Sequence, residues 1–307
     1  MVESAGTVLQ TLALTRRFGR RRGVSEVDLR VGPGEVFGFL GPNGAGKTTT
    51  IRLLLGLCRP TSGHVALFGL DPHRRPVEAL RRVGYLPGEL SLYPRLTGRQ
   101  VLKRLARIRG HTDHRFRDEL AERFTVELDA PIRTLSKGNV QKMGLVLAFA
   151  HRPDLLILDE PTSGLDPLLQ DEFTRLVRET ADEGRTVFLS SHDLDEVQRV
   201  ADRLTIIKEG RLQVTDTVER LRAAAPKTVE LCFTDAVDLA PFRRLDGVRV
   251  LAQQDGRLRL TMAGAIGPLL RLAADLDPVD MTVRPPDLEE LFLGYYRGGA
   301  DEAGRHG

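Results

Sequence analysis

The chain has no tryptophan, two cysteines among 307 residues, and only 5% aromatic residues. Cys58 and Cys232 stand far apart, without the spacing of a metal site, and read as small buried hydrophobes in a reduced compartment. No apolar run approaches the ~18 residues of a membrane helix, and the N-terminus lacks a signal-peptide core. The chain is therefore expected to be cytosolic and not to span a membrane by itself. Strong charge of one sign is also missing, the formal net charge being +3. Arginines are dispersed apart from Arg16-Arg17 and Arg20-Arg21-Arg22, which read as a solvated surface before they read as a nucleic-acid or lipid patch. What remains is ordinary globular material, 41% hydrophobic and 28% charged, enough for one large α/β domain and a small second one.

The most informative stretch is Gly41-Pro42-Asn43-Gly44-Ala45-Gly46-Lys47-Thr48, which fits G-x-x-x-x-G-K-[ST] at every fixed position. Glu35 to Leu40 before it reads as a short apolar strand, and Thr49 to Leu57 after it as a helix with a leucine-rich face. Glycines allow successive N–H groups to turn inward, and the helix N-terminus adds partial positive charge, so main chain can hold polyphosphate. Lys47 is then placed to reach the β- and γ-phosphates and Thr48 to ligate Mg²⁺. A second stretch, Leu155-Leu156-Ile157-Leu158-Asp159-Glu160, reads as a fully buried parallel strand with two carboxylates at its C-terminal end, the end that faces the ligand crevice in doubly wound sheets. Asp159 is positioned to hold Mg²⁺ through its water shell, and Glu160 to polarise an attacking water. Ser190-Ser191-His192-Asp193 ends another buried strand, Thr186 to Ser190, and His192 there can bond a γ-phosphate or the attacking water.

The remaining pattern gives the organisation. Thr7 to Arg16 and Val24 to Val31 read as strands of an antiparallel layer, with Phe18 in the turn before the second. His64 to Phe68 and Val83 to Leu86 read as strands, with a short helix at Val77 to Arg82 between them. Thr97 to Phe124 has helical periodicity split near Gly110. His111 and His114 are too isolated for a metal pair and read as a solvated loop. Thr134 to Ala150 has a glycine-containing start and continues as an apolar helix. A helix at Leu168 to Glu183 and a hairpin around Glu209-Gly210 complete this part. After a short helix, Leu221 to Lys227 is expected to be a linker. Beyond it the order β-α-β-β-α-β, closing with a helix at Asp287 to Tyr296, is that of a ferredoxin-like split unit. Residues 297–307 are expected to form a disordered tail.

Taken together, residues 7 to 220 resemble the ATP-binding subunit of an ABC transporter, with each family element in family order. The resemblance implies a P-loop NTPase cassette of α/β class: a RecA-like core, an antiparallel β layer and a helical subdomain at about 97–150. A small α+β accessory domain at 228–296 follows. It makes Gly41 to Thr48 the Walker A loop and Leu155 to Glu160 the Walker B strand with its catalytic glutamate. His192 falls at the switch histidine and Ser163 to Asp166 at the D-loop. ATP contacts are implied for Phe18, which stands at the adenine-stacking aromatic, for Gly41, Pro42, Asn43, Gly44, Ala45, Gly46, Lys47, Thr48 and Thr49, and for Ser136, Gly138 and Asp166. Catalysis is implied for Lys47, Glu160 and His192, with Mg²⁺ at Thr48 and Asp159.

Two departures stand out. At the signature, Leu135-Ser136-Lys137-Gly138-Asn139 replaces the usual LSGGQ, with Lys137 for a glycine and Asn139 for the glutamine. In the stretch Gly84 to Glu89, Gly88 occupies the position of the family's Q-loop glutamine. Tyr93 to Thr97 and Leu288 to Leu293 resemble the branch that energises two-component exporters of drugs, antibiotics or polysaccharide. The resemblance implies a head-to-tail dimer of two such chains, a separate transmembrane permease as partner, and a place on the inner face of the cell membrane. No nucleic-acid partner is expected. A soluble cassette acting on ribosomes or DNA is the rival reading, and it conflicts with the single uninterrupted cassette. A non-hydrolysing ATP-binding module is the other: intact Lys47, Asp159, Glu160 and His192 argue against it, and the altered Lys137 and Gly88 keep it open.

Overall fold

Alternation of apolar and polar residues builds β1 (Leu9–Phe18), which pairs antiparallel with β2 (Arg21–Val27) and β3 (Arg30–Val31). This computed structural model describes residues 6–19, 21–109 and 113–284. The single strand expected over Val24 to Val31 is broken after Val27. There the buried Thr11 hydroxyl donates to the Val27 carbonyl at 2.7 Å and accepts from Leu29 N–H at 2.8 Å, so a side chain replaces the ladder bonds. Phe18 belongs not to the turn but to the end of β1, opposite Arg21, because pairing with β2 extends the first strand past Arg16.

β4 (Val36–Leu40) then leads through the glycine loop into α1 (Lys47–Leu54), and β5 (Ser62–Leu67) returns to pair antiparallel with β1. After α2 (Pro76–Leu80) and β6 (Val83–Leu86) come three helices, α3 (Gly98–Arg109), α4 (His114–Arg123) and α5 (Lys137–Phe149). Asp113 and Ser136 cap the last two, accepting from Phe116 N–H at 3.0 Å and Asn139 N–H at 3.2 Å. His114 thus opens a helix, while the loop around Gly110 and His111 lies outside the described residues. β7 (Leu155–Asp159), α6 (Pro167–Asp182), β8 (Thr186–Ser191), α7 (Leu194–Val200), β9 (Arg203–Lys208) and β10 (Arg211–Thr217) follow.

The main sheet runs β10-β9-β4-β8-β7-β6, with β4, β8, β7, β6 and β9 joined by parallel pairings. β7 and β8 are buried at every position, as strands covered on both faces should be. Phe188 stacks between Phe37 and Phe39 of the neighbouring strand, ring centroids 5.8 and 5.3 Å apart, and locks β8 against β4. The consequence for function is that β4, β8 and β7 release their C-terminal ends side by side.

The chain divides into two units, Met1–Asp216 and Thr217–Gly307. The second begins with α8 (Val218–Ala224), so most of the stretch expected as a linker is helical: Thr217 caps it, accepting from Arg220 N–H at 3.1 Å, and alanines favour it. β11 (Lys227–Cys232), α9 (Ala240–Arg243), β12 (Val248–Gln254), β13 (Arg257–Met262), α10 (Gly267–Leu276) and β14 (Asp280–Arg284) complete it. Its sheet order, β12-β13-β11-β14 with antiparallel neighbours, is that of a ferredoxin-like split unit. Val229, Leu231, Phe242, Leu258, Leu260 and Leu269 give it a core of its own. The helix expected at Asp287 to Tyr296 and the tail from Arg297 to Gly307 lie outside the described residues. Among the described residues, no helix is long and apolar enough to cross a membrane.

Candidate active site

The loop between β4 and α1 has the backbone that its glycines permit. Gly44 and Gly46 hold φ of 80° and 113°, and Gly46 is the N-cap of α1. A Cβ at Gly46 would come within 2.8 Å of the Val24 side chain, so a larger residue is excluded by space as well as by conformation. Lys47, 6% exposed, folds its ammonium back into the loop, donating to the carbonyls of Gly41 at 2.5 Å and Pro42 at 3.3 Å. That ammonium also lies 3.1 Å from Glu160 Oε1. No hydrogen bond of good geometry reaches this oxygen, so the contact is one of charge.

The carboxylates at the end of β7 are held by the neighbouring strand. Asp159 is buried. Its Oδ1 accepts from the Ser190 hydroxyl at 2.5 Å and its Oδ2 from the Thr48 hydroxyl at 2.8 Å. Ser190 also takes the Glu160 N–H, through its hydroxyl at 3.2 Å and its carbonyl at 3.1 Å. Glu160 needs that hold because its φ is 49°, in the left-handed region that non-glycine residues seldom occupy. The Glu160 carbonyl, with that of Pro161, accepts from the Gln141 amide of α5 at 3.3 and 3.1 Å. His192, largely exposed, brings Nδ1 to 2.7 Å from Glu160 Oε2. Glu160 thus sits between a lysine and a histidine, one on each oxygen.

Lys47, Thr48, Asp159, Glu160 and His192 therefore converge, as the sequence led us to expect. A cavity of about 510 Å³ opens beside them, lined by Asn43, Thr48, Asp159, Glu160, Ser163 and His192, with Glu89 and Lys137 also on its wall. Phe18, Ser136, Gly138 and Asp166 do not line it. Phe18 is 44% exposed and carries the Arg16 guanidinium 4.8 Å over its ring. Ser136 and Asp166 serve as helix caps, Asp166 accepting from Leu169 N–H at 3.1 Å. Gly138 packs so closely that a Cβ would come within 2.9 Å of the Gly164 carbonyl. Sequence reading missed the supporting shell. Glu196 bonds the Ser191 hydroxyl at 2.5 Å, and its carboxyl is pushed up from its ordinary pKa chiefly by burial. The Tyr85 hydroxyl is raised by burial and by the nearby Asp159.

The arrangement has clear chemical capability. Main-chain amides and Lys47 can hold a polyphosphate, and Glu160 can orient or deprotonate a water. Thr48 Oγ1 and Asp159 Oδ2 form a hard-oxygen pair that fits Mg²⁺, an ion that usually takes one or two protein ligands beside phosphate and water. Among the described residues, no cluster of three or more His, Cys, Asp or Glu forms a metal cage.

Comparison with known proteins sharpens this chemistry. The family model described as ABC transporter matches residues 24–163. The bacitracin transport ATP-binding protein of Bacillus licheniformis is 36% identical over 95% of this chain and 98% of its own length. The daunorubicin/doxorubicin resistance ATP-binding protein of Streptomyces peucetius is 33% identical over 96% and 94%. Among solved structures, an ATP-binding subunit of an ABC transporter superposes with a TM-score of 0.65 at 31% identity, covering 70% of this chain and 92% of that one. With full-length relatives at this identity and a loop, strand and histidine assembled as described, the chain belongs to the ABC transporter family, as one of its ATP-hydrolysing, ATP-binding subunits.

Proposed function

We propose that this chain hydrolyses Mg-ATP as a head-to-tail dimer and thereby powers a separate membrane permease exporting a drug, antibiotic or other hydrophobic or amphiphilic compound. The single observation that carries the hydrolytic part is the placement of Glu160 between Lys47 and His192, beside the Thr48–Asp159 oxygen pair. The reaction is ATP + H₂O → ADP + phosphate. Loop amides and Lys47 take up charge on the transferred group, Glu160 orients the water and accepts its proton, and His192 holds the γ-phosphate and Glu160 in register. Thr48 and Asp159 would hold Mg²⁺, which would supply neutralisation of phosphate charge. Phe18 would stack on adenine, and Ser136 and Gly138 of one chain would close the site of the other, with Asp166 in the adjoining loop.

The export reading is supported by the names of the relatives, which refer to bacitracin transport and daunorubicin resistance. It places the chain peripherally on the inner face of the membrane, through the permease. The purified chain should hydrolyse ATP, faster with its permease. Glu160→Gln should bind ATP yet lose more than ~100-fold of turnover, and Lys47→Ala should lose ATP affinity. Turnover by Glu160→Gln at the wild-type rate would remove Glu160 from the role of base. An active chain that no permease stimulates would favour a soluble cassette instead.

A further inference from the structure

The two places where this chain departs from the family pattern carry opposite charges into one cavity. Lys137, at the first turn of α5, and Glu89, next to Gly88 in the loop after β6, both line the wall beside Asp159, Glu160 and His192. Among the described residues, neither side chain has a hydrogen-bond or ion-pair partner.

The packing of α5 explains why these segments meet. Lys137, Gln141 and Gly144 lie at i, i+4 and i+7, on one face of the helix. At Gly144 a Cβ would come within 2.5 Å of Leu86 and 2.6 Å of Leu90, the two leucines that bracket Pro87-Gly88-Glu89. The helix therefore lies directly on the base of that loop. Lys137 is two turns toward the N-terminus, about 10 Å along the axis, on the same face, and lines the cavity with Gly88 and Glu89. Between them, Gln141 grips the carbonyl of Glu160. Gly88 itself has no side chain with which to tie the loop to this helix, and a Cβ there would face the Asp159 carboxylate at 3.4 Å.

We propose that Glu89 and Lys137 act as a positioning pair. Their ion pair in the nucleotide-bound state fixes the loop after β6 to the first turn of α5, and through Gln141 it sets the backbone of Glu160. The proposal rests on the hydrolytic reading above. A displaced Glu160 slows the chemical step, whereas phosphate binding, which depends on Lys47 and the loop amides, is untouched. Arg52 shares the cavity and is the alternative partner for Glu89.

Charge reversal in the full-length chain tests this. Glu89→Lys and Lys137→Glu should each lower turnover at saturating ATP by about tenfold, with ATP affinity within about twofold of wild type. The double reversal should recover to within about threefold of wild type, a coupling that separate structural roles do not produce. Equal melting temperatures establish that the variants fold; if a reversal fails to fold, the Glu89→Gln and Lys137→Gln cycle should show the same coupling. The proposal is overturned if the single variants turn over normally, or if the double variant is as slow as the product of the singles, as pairing of Glu89 with Arg52 would give. It is also overturned if Lys137→Glu alone weakens ATP binding, which would make Lys137 a phosphate ligand. A wild-type chain that binds ATP without hydrolysing it counts against the hydrolytic reading alone. In that case Glu89→Cys/Lys137→Cys, in a chain with Cys58 and Cys232 changed to serine, must be joined by a short thiol cross-linker when ATP is bound; failure to join overturns the pair.

Discussion

Lys47 and Glu160 face each other at 3.1 Å, so an arriving γ-phosphate replaces one anion with another around the same ammonium. Removing the charge from Glu160 should therefore tighten ATP binding as well as stop turnover. We expect Glu160→Gln to bind ATP about threefold to tenfold more tightly, measured by calorimetry, and equal or weaker binding would contradict the competition. His151 supplies a second prediction. Burial first, and then the neighbouring Arg109, bring its imidazole down from 6.5 to about 4, with only a bond to the Val83 carbonyl acting the other way. The fold keeps this ring neutral. As the pH falls from about 6.5 to 4, the unfolded chain takes up a proton that the folded chain refuses, and stability is lost across that window, by about 3 kcal/mol. His151→Gln keeps a donor for the Val83 carbonyl without the titration. Its denaturant midpoint should fall less than that of wild type between pH 7 and pH 4.5. At this scale the chemical residues were legible in the sequence because local spacing fixes them: Lys47 and Thr48 follow their loop, and Asp159 and Glu160 end their strand. Ser190, Gln141 and Glu196 were not read as supports, since what they hold lies across the fold or, for Glu196, follows from burial that no local pattern records.

Elements show the same division between local and tertiary signals. β7 announces itself as an aliphatic run, β8 as a short buried strand, and α5 as an apolar helix after a glycine-containing start. The break between β2 and β3 has no local mark, because it is made by Thr11 from another strand. The end of β1 was likewise set by pairing with β2, which drew Phe18 into the strand. α5 deserves a test as an element, since its glycine at 144 is what lets it settle on β6. A methyl group there would meet Leu86 and Leu90 at 2.5 and 2.6 Å. Gly144→Ala gains helix propensity of roughly 1 kcal/mol but forces these leucines to move at a cost of about 1–3 kcal/mol. The overpacking cost is the larger, so we expect net destabilisation of up to about 2 kcal/mol in denaturant melts, with turnover reduced more than ATP affinity. A variant more stable than wild type would show that the leucines yield freely.

For the whole molecule, two separate cores predict two separable transitions. The cluster around Leu9, Phe39 and Ile157 belongs to the first unit and that around Val229 and Phe242 to the second, while every residue gathered at the cavity lies in the first. Scanning calorimetry should resolve two unfolding events, and Mg-ATP should raise only that of the larger unit, by about 3 kcal/mol of stabilisation at a hundredfold excess over the dissociation constant. One transition shifting as a whole would argue against independent units. The ferredoxin-like order of the second unit could be read from its alternating strands and helices, whereas the run of α8 to Ala224, into the stretch expected as a linker, had to be seen. The order of the main sheet also governs how the protein is made. β4 lies between β8 and β9, and the Gly41 amide bonds the Ser191 carbonyl at 3.2 Å. A ribosome thus delivers the phosphate loop early and both strands that flank it only after residues 186 and 203. At ~5–20 residues per second the growing chain carries that loop on an unpaired strand for on the order of ten seconds. Nucleotide cannot guide the first stages of folding. A message cut short before β9 yields a chain whose β4 lacks its neighbour on one side and whose phosphate loop lacks the Gly210 amide on the Ala45 carbonyl.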